Sequence, residues 1–383
     1  MAIITPYPPD RSGVAQYSEQ TVAALSKLAV VDVFTDAPAP PPSPFVRRFA
    51  PITELPYVAP GWDRTLSVVG NSSFHVRMLE MLERHGGPCL VHDNRLAELY
   101  HWWRGPVGFA AQASRWLGRP VSIAEAEAWV REPGTLPSIF FHDVVRQAAP
   151  LLVHSRGIQA RVREEYGVDA IALPFCVYRT FAEDELSDAA RRAAAERLGL
   201  PRDRCSIVTL GMVAHTKGPL QCVEATRELL DQGVPADLYF VGPDEFFREP
   251  ILARAAGLRI TERVHLTGSW VSDRQYRDFV IAADLAIQLR SHGFGGLSGA
   301  LQDCIAAGLP TVANRDLADA GDSPSYVMRV PDALSPGPIA ASLAEAWKRG
   351  AHRTRLSEER RRYVEEHGFD VYARRLLAAL ELA

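Results

Sequence analysis

His292-Gly-Phe-Gly-Gly-Leu-Ser-Gly-Ala-Leu-Gln-Asp-Cys-Ile-Ala-Ala-Gly308-Leu-Pro-Thr-Val-Ala313 reads as a glycine-rich loop, a helix and a strand. The strand before it is Asp284-Leu-Ala-Ile-Gln-Leu-Arg290. Glycines let a loop turn tightly and bring main-chain N–H groups close to a ligand. The helix expected from about Ser298 offers unpaired N–H donors and a positive dipole end. Phosphate binds readily at such a helix start. Asp303 lies further along the helix, and on a phosphate reading its carboxylate is available for ribose hydroxyls. The combination suggests a nucleotide pocket. Glycines also end strands for purely structural reasons, so the flanking pattern must decide.

Outward from this stretch the second half of the chain alternates regularly. Strand Ser206–Met212 leads to helix Pro219–Asp231, strand Ala236–Val241 to a helix around Glu249–Ala256, and strand Arg263–Thr267 to helix Ser272–Ala283. Ser272-Asp-Arg-Gln275 has the form of a capping box. Strands Thr311–Asn314 and Tyr326–Val330 and helix Pro338–Arg349 complete the series. The first half carries strands Ala2–Thr5, Val30–Phe34, Thr65–Val69, Cys89–His92, Leu151–His154 and Ala170–Leu173. Its helices are expected over Val14–Leu28, Ile123–Val130 and Ile158–Tyr166. This βαβ order predicts doubly wound parallel sheets. The polar region Ala182–Arg204 is the expected domain boundary, and a final helix is expected over Phe369–Leu382. The proline run Pro38–Pro44 reads as a stiff surface spacer.

A chain of 383 residues is long enough for two domains with full cores. A net charge of −4 gives no reason to propose nucleic acid as a partner. Five cysteines, odd in number and scattered, form neither a disulfide framework nor a metal-ligand pattern, which favours the reducing cytoplasm. No apolar run is long enough to span a bilayer, and no signal peptide is read at Met1-Ala-Ile-Ile, which reaches Pro6 too soon. The chain has no Asp-x-Asp near a strand end, no His-Glu-x-x-His and no Cys-x-x-Cys, so no dedicated metal site is expected.

Lys217 stands where strand gives way to helix in Leu210-Gly-Met-Val-Ala-His-Thr-Lys-Gly218. A lysine at a helix start opposes the dipole, and a bound diphosphate reverses that balance. A solvated surface lysine is the alternative. Arg290 ends the strand before the glycine loop, so its fork is a candidate for phosphate oxygens or for a structural ion pair. If diphosphate leaves during a reaction, these cations and the helix-start amides stabilise it. Ser12-Gly13 follows the first strand, at a carboxyl end, where it is either a ligand approach or a plain turn. His92-Asp93 closes another strand; a neutral imidazole there can orient a hydroxyl or pass a proton, or be a bystander. His75, His142 and His154 are weaker candidates. The aromatic and basic stretch from Leu99 through Trp102-Trp103-Arg104 to Arg119 reads as an amphipathic helix packed on its own domain, with a lipid headgroup surface or an acceptor as alternatives.

Several segments together resemble the retaining GT-B glycosyltransferases of glycosyltransferase family 4, the group 1 glycosyltransferases. Pro6-Tyr-Pro-Pro-Asp-Arg-Ser-Gly-Val-Ala-Gln-Tyr-Ser18 is similar to that family's opening loop in its bacterial polysaccharide branch. Gly70-Asn-Ser-Ser-Phe-His75, Leu90-Val-His-Asp93 and Leu152-Val-His-Ser155 resemble its middle motifs, and Gly211 to Gly218 its glycine-lysine phosphate motif. Val264-His-Leu-Thr-Gly268, Ala282-Ala-Asp-Leu285 and Gly296 to Pro310 follow in the family's order. The resemblance implies two Rossmann-like domains facing a cleft. The acceptor-side domain would span residues 1–185, with the helix 368–383 crossing back to it. The donor domain would span residues 186–367.

It further implies a metal-independent, cofactor-free enzyme of polysaccharide biosynthesis that takes a nucleotide sugar as donor. The acceptor would be a glycan, a lipid-linked sugar or a small natural product. The enzyme would be cytoplasmic, and lipid-linked substrates would bring it to the inner face of the membrane. By the same resemblance Lys217 would hold the diphosphate and Leu297 and Ser298 would offer it amides. Asp303 would bind ribose, Trp270 and Val271 would border the base, and Gly13 would approach the phosphates. His92 would stand at the reaction centre. The sequence departs from the family at three places. The first glutamate of its acidic pair is replaced by Gly295 or Gly296. The second is Asp303, one methylene shorter. The arginine expected after Gly211 is Met212, for which Arg290 is a candidate substitute. These departures keep two other readings open: a degenerate GT-B protein that binds nucleotide sugar or glycan without turnover, and a nucleotide-sugar epimerase, against which the bare glycine loop argues.

Overall fold

The computed structural model describes residues 1–10, 12–55, 61–291 and 296–381. The chain divides into two compact units. One is built on Met1–Cys176 with Gly296, Leu297 and His367–Ala383, the other on Val177–Gly293 with Ser298–Glu366. The division falls between Cys176 and Val177, ahead of the polar region read as the boundary.

Among the described residues the first unit holds a seven-stranded sheet in the order β3-β2-β1-β4-β5-β6-β7. Its strands are β1 (Ala2–Ile4), β2 (Asp32–Phe34), β3 (Arg48–Ala50), β4 (Thr65–Val69), β5 (Gly87–Val91), β6 (Ala148–Val153) and β7 (Ile171–Ala172). The second unit holds six strands in the order β10-β9-β8-β11-β12-β13. They are β8 (Cys205–Leu210), β9 (Ala236–Val241), β10 (Val264–Leu266), β11 (Leu285–Gln288), β12 (Thr311–Asn314) and β13 (Val327–Val330). Every pairing in both sheets is parallel.

Parallel strands are covered on both faces, so they read as unbroken apolar runs. Every residue of β8 and β9 is buried. Successive side chains then feed opposite cores: Val208, Leu210, Tyr239 and Val241 enter one, and Cys205, Ile207, Leu238 and Phe240 the other. Each large apolar side chain buried this way contributes about 1.5–3 kcal/mol. Serines begin the connecting helices. Ser12, Ser155, Ser272 and Ser298 each accept a main-chain N–H from two or three residues on, which supplies about 1 kcal/mol per cap. The caps place helix starts at the carboxyl ends of strands, where ligands meet such sheets.

The helix Phe369–Ala379 packs against the helix Gly13–Leu25, where Tyr17 meets Phe369 and Tyr372 at ring-centroid distances of 5.0 and 5.6 Å. The aromatic stretch forms the helix Ala97–Leu117, interrupted at Gly105 (φ 68°) before Pro106. Tyr100 and Phe109 enter the core of the first unit, whereas Trp102 is exposed. No helix of the described residues is long and apolar enough to cross a membrane. All five cysteines are buried and free.

Candidate functional site

In the second unit the winding reverses between β8 and β11, with β9 and β10 on one side and β12 and β13 on the other. Such a switch point is where α/β sheets bind ligands. Past β8 the chain turns at Gly211 (φ 83°), and Lys217 folds back so that its Nζ donates to the Leu210 carbonyl at 2.9 Å. A Cβ on Gly211 would stand 3.0 Å from that Nζ, so a side chain there would crowd the amine. Pro219 then opens the helix Pro219–Asp231, at a position where its missing N–H costs nothing. Past β11 comes Arg290, whose main-chain N–H donates to Asn314 Oδ1 at 2.8 Å.

The two cations feel each other. Lys217 keeps part of its surface in solvent while its amine is enclosed. Burial, and then the Arg290 charge, lower that amine from 10.5 to about 7. Like charges held close in a low-dielectric setting are unfavourable in the free protein. A doubly negative ligand turns the same arrangement favourable.

The helix expected from Ser298 runs over Gly299–Ala306, and Ser298 Oγ accepts the Leu301 N–H at 3.3 Å. Gly296 and Leu297 lead into it; His292–Gly295, and with them one of the two positions read as replacing the first glutamate, lie outside the described residues. Asp303 is buried at 2% exposure. Its Oδ2 accepts from Arg179 Nη1 at 2.9 Å and from the Tyr276 hydroxyl at 2.8 Å. Its Oδ1 has no hydrogen-bond partner among the described residues. Burial pushes the carboxyl up, against the opposing pull of Arg179. Trp270 stands 74% exposed after β10, while its neighbour Val271 packs against the core. Met212 is exposed beside Gly211.

In the first unit Gly13 is exposed at a helix start, with open space where a Cβ would be. His92 follows β5 and His154 follows β6, and these strands pair with Val91 opposite Val153. The register therefore puts the two imidazoles side by side, with His154 Nε2 and His92 Nδ1 3.1 Å apart. Tyr17 meets both rings edge-on, at centroid distances of 4.9 and 5.1 Å. Asp93 Oδ2 accepts the Asn71 N–H at 2.6 Å. His75 is fully buried, its Nδ1 lies 3.2 Å from the Val68 carbonyl, and burial lowers it to about 4 despite Asp93. A Cβ on Gly70 would come within 2.6 Å of His75 Nε2 and 2.9 Å of Asp93 Oδ2. The glycine that opens Gly70-Asn-Ser-Ser-Phe-His75 is thus required by this close approach. Among the described residues no three His, Cys, Asp or Glu side chains group as metal ligands.

No protein-family model matches the chain. It is 30% identical to a D-inositol 3-phosphate glycosyltransferase of Xylanimonas cellulosilytica over 56% of this chain and 54% of that protein. It is 28% identical to the enzyme of the same name from Acidothermus cellulolyticus over 80% of this chain and 71% of that protein. The chain spans about half the length of the first of these, and likewise 49% of a putative teichuronic acid biosynthesis glycosyltransferase of Bacillus subtilis, at 27% identity. Among solved structures, Anabaena HepE in complex with UDP and glucose superposes with a TM-score of 0.66 at 12% identity, covering 100% of this chain and 99% of that one. WaaG, a glycosyltransferase of lipopolysaccharide biosynthesis, does so with 0.63 at 15% identity, covering 100% and 99%. The fold is that of the GT-B glycosyltransferases.

Within the GT-B frame Lys217 and Arg290 come together at the second sheet's switch point, and Ser298 caps the helix beyond it. Asp303 is less available than its sequence position suggested, because Arg179 and Tyr276 hold one of its oxygens. Neither partner was singled out by sequence reasoning. Arg179 is 124 residues from Asp303 along the chain, and no local pattern marks such a pairing. His154 was a minor candidate; only the β5–β6 register shows that it touches His92.

Proposed function

We propose that the chain is a family 4-type retaining glycosyltransferase that moves a sugar from a nucleoside diphosphate sugar to a glycan, lipid-linked or small-molecule acceptor. The observation that carries this reading is the enclosed Lys217 amine beside Arg290 at the switch point between β8 and β11. That arrangement is suited to a leaving diphosphate. Lys217 and Arg290 meet the phosphate oxygens, and the start of the helix Gly299–Ala306 adds its N–H donors and dipole. Leu297 and Ser298 are proposed to offer main-chain amides, and Gly296 stands at one of the two positions of the lost first glutamate. The exposed Trp270 indole borders the base, with Val271 behind it, and Asp303 Oδ1 is the ribose acceptor. On the first unit, Gly13 leaves a helix start open to close approach by a ligand, and His92 is the residue assigned to the reaction. The diphosphate charge is met by these cations and dipoles without a resident metal or cofactor. Curated relatives named as glycosyltransferases and the HepE complex with UDP support the reading. We place the reaction in the cytoplasm, in polysaccharide assembly, with a lipid-linked acceptor reached at the inner face of the membrane.

A thermal-shift panel of UDP-, GDP- and dTDP-sugars tests the donor site, because a ligand at about a hundred times its Kd adds about 2.7 kcal/mol. Turnover with the stabilising donor follows, and the product anomer read by NMR tests retention. Absence of any shift, or an inverted product, defeats the corresponding part of the proposal. Binding without turnover points to the degenerate reading, which Gly296 and Met212 favour.

A further inference from the structure

We infer that the pocket at the amino ends of β8 and β11, walled by Arg191, Arg192, Arg204 and His352, binds a phosphate dianion, free or carried on a small organic body. The inference does not depend on the proposed activity. The pocket lies wholly in the second unit and has a volume of 260 Å³. Arg191 and Arg192 reach it from the helix Asp188–Leu198, Arg202 and Arg204 from the loop before β8, and His352 from the turn Ala351–Arg353. Lys217 and Arg290 stand past the opposite ends of the same two strands. β8 spans Cys205–Leu210, so about 17 Å of strand separates the two places.

Four arginines line the pocket against two aspartates, Asp188 and Asp284, an excess of two positive charges. Asp284 is already shared. Its Oδ2 accepts the Ser206 N–H at 2.9 Å, and its Oδ1 faces Arg191 Nη2 at 3.3 Å. Arg355 stands behind it, 3% exposed, with its Nη groups on the Ala283 and Ala307 carbonyls and no bonded carboxylate among the described residues. Burial, and then the Arg191 charge, lower Arg355 to about 9, as happens where cations are held together with too little negative charge. Arg192 is exposed on the same wall and has no acidic partner among the described residues. Three buried nitrogens of this cluster also have no hydrogen-bond partner among the described residues: Arg191 Nε, Arg355 Nε and His352 Nδ1. His352 is 9% exposed, and its ring is held in stacking on Trp347 at a centroid distance of 4.4 Å. Unpaired buried polar groups are unfavourable. A phosphate group answers both deficits, since guanidinium forks match its oxygens two at a time and its charge offsets the excess. The pocket exceeds the roughly 30 Å³ of one water several-fold, and Leu200, Pro201 and Ala282 give it an apolar side for an organic body.

Calorimetry of the full-length protein against inorganic phosphate and against glucose 6-phosphate tests the site, at fixed ionic strength and about pH 7.5, where both probes are mainly dianions. The expected result is saturable binding that Arg192→Glu weakens at least about tenfold and Lys217→Met leaves within about twofold. Arg191→Gln, on the buried wall, weakens it at least as much. Tighter binding of glucose 6-phosphate supports the site with a phosphate ester as its ligand; equal affinity supports it with free phosphate. No saturable binding of either probe overturns the inference. So does binding that Lys217→Met abolishes and Arg192→Glu leaves unchanged, because the phosphate then sits at the carboxyl ends of the strands. If Arg191→Gln does not fold, the exposed Arg192→Glu still decides. The donor reading fails separately, when nucleoside diphosphates do not bind, and that failure leaves the phosphate result standing.

Discussion

Replacing Lys217 by methionine separates a ligand-binding lysine from a structural one, because the two roles predict opposite signs. The free protein holds the amine at about 7 rather than 10.5. The difference of 3.5, at about 1.4 kcal/mol each, corresponds to at most about 5 kcal/mol of disfavoured charge. The sign follows from proton counting. Between about 7 and 10.5 the unfolded chain holds a proton that the native lysine has released, so stability rises with pH through that window. Below about 7 the destabilisation is fully present. Methionine removes it, and forfeits one hydrogen bond to the Leu210 carbonyl, about 1 kcal/mol. Lys217→Met is therefore more stable than the wild type at pH 6.5, by about 1–3 kcal/mol after discounting for its partial exposure.

Its nucleoside diphosphate affinity moves the other way, weakening by about 2–4 kcal/mol, or roughly 30- to 1000-fold. The wild-type affinity also falls about tenfold from pH 6 to pH 8, as the amine of the free protein deprotonates near 7. Ligand ionisation is common to both proteins and cancels in the ratio of their dissociation constants. Denaturant titrations and calorimetry across that range supply both quantities. A variant that is less stable at pH 6.5 and binds diphosphate as tightly as the wild type would refute the reasoning.

Arg290→Ala weakens diphosphate binding by about 1.5–3 kcal/mol, and the loss of its charge lets the Lys217 amine rise above about 7, so calorimetry should show the alkaline fall in affinity at higher pH. Trp270→Ala costs about 1–3 kcal/mol in nucleoside diphosphate affinity through lost base stacking, while pyrophosphate binds as before; equal losses for both ligands would disprove a base contact. Asp303→Asn removes the carboxylate facing Arg179, and calorimetry is expected to show weaker nucleoside diphosphate binding with pyrophosphate binding unchanged. If nucleoside affinity survives Asp303→Asn undiminished, the ribose role of Asp303 fails.

Pro219–Asp231 and Ala236–Val241 were legible to the residue. A proline at a helix start and the apolar run Leu238-Tyr-Phe-Val241 are local signals. The expected helix Val14–Leu28 ends instead at Leu25, and the strand Ser206–Met212 runs from Cys205 to Leu210. Ends are settled by the last hydrogen bond, which composition does not show. The edge strand β3, Arg48–Ala50, went unread because only one of its three residues is buried. The helices Val76–His85 and Glu358–Glu366 have no strong end signals in the sequence, although both carry buried residues on one face.

By itself the chain determined its layered α/β class, the strand-end placement of Gly13, His92, Lys217 and Arg290, the capping box at Ser272 and the helix start near Ser298, because periodicity and end-signals are encoded over a few neighbouring residues. Tertiary structure alone decided who meets whom: Lys217 beside Arg290, Asp303 under Arg179 and Tyr276, His154 against His92. The last follows from the β5–β6 register and the others from how loops and helices pack over the second sheet, and their energies depend on how much water that burial removes.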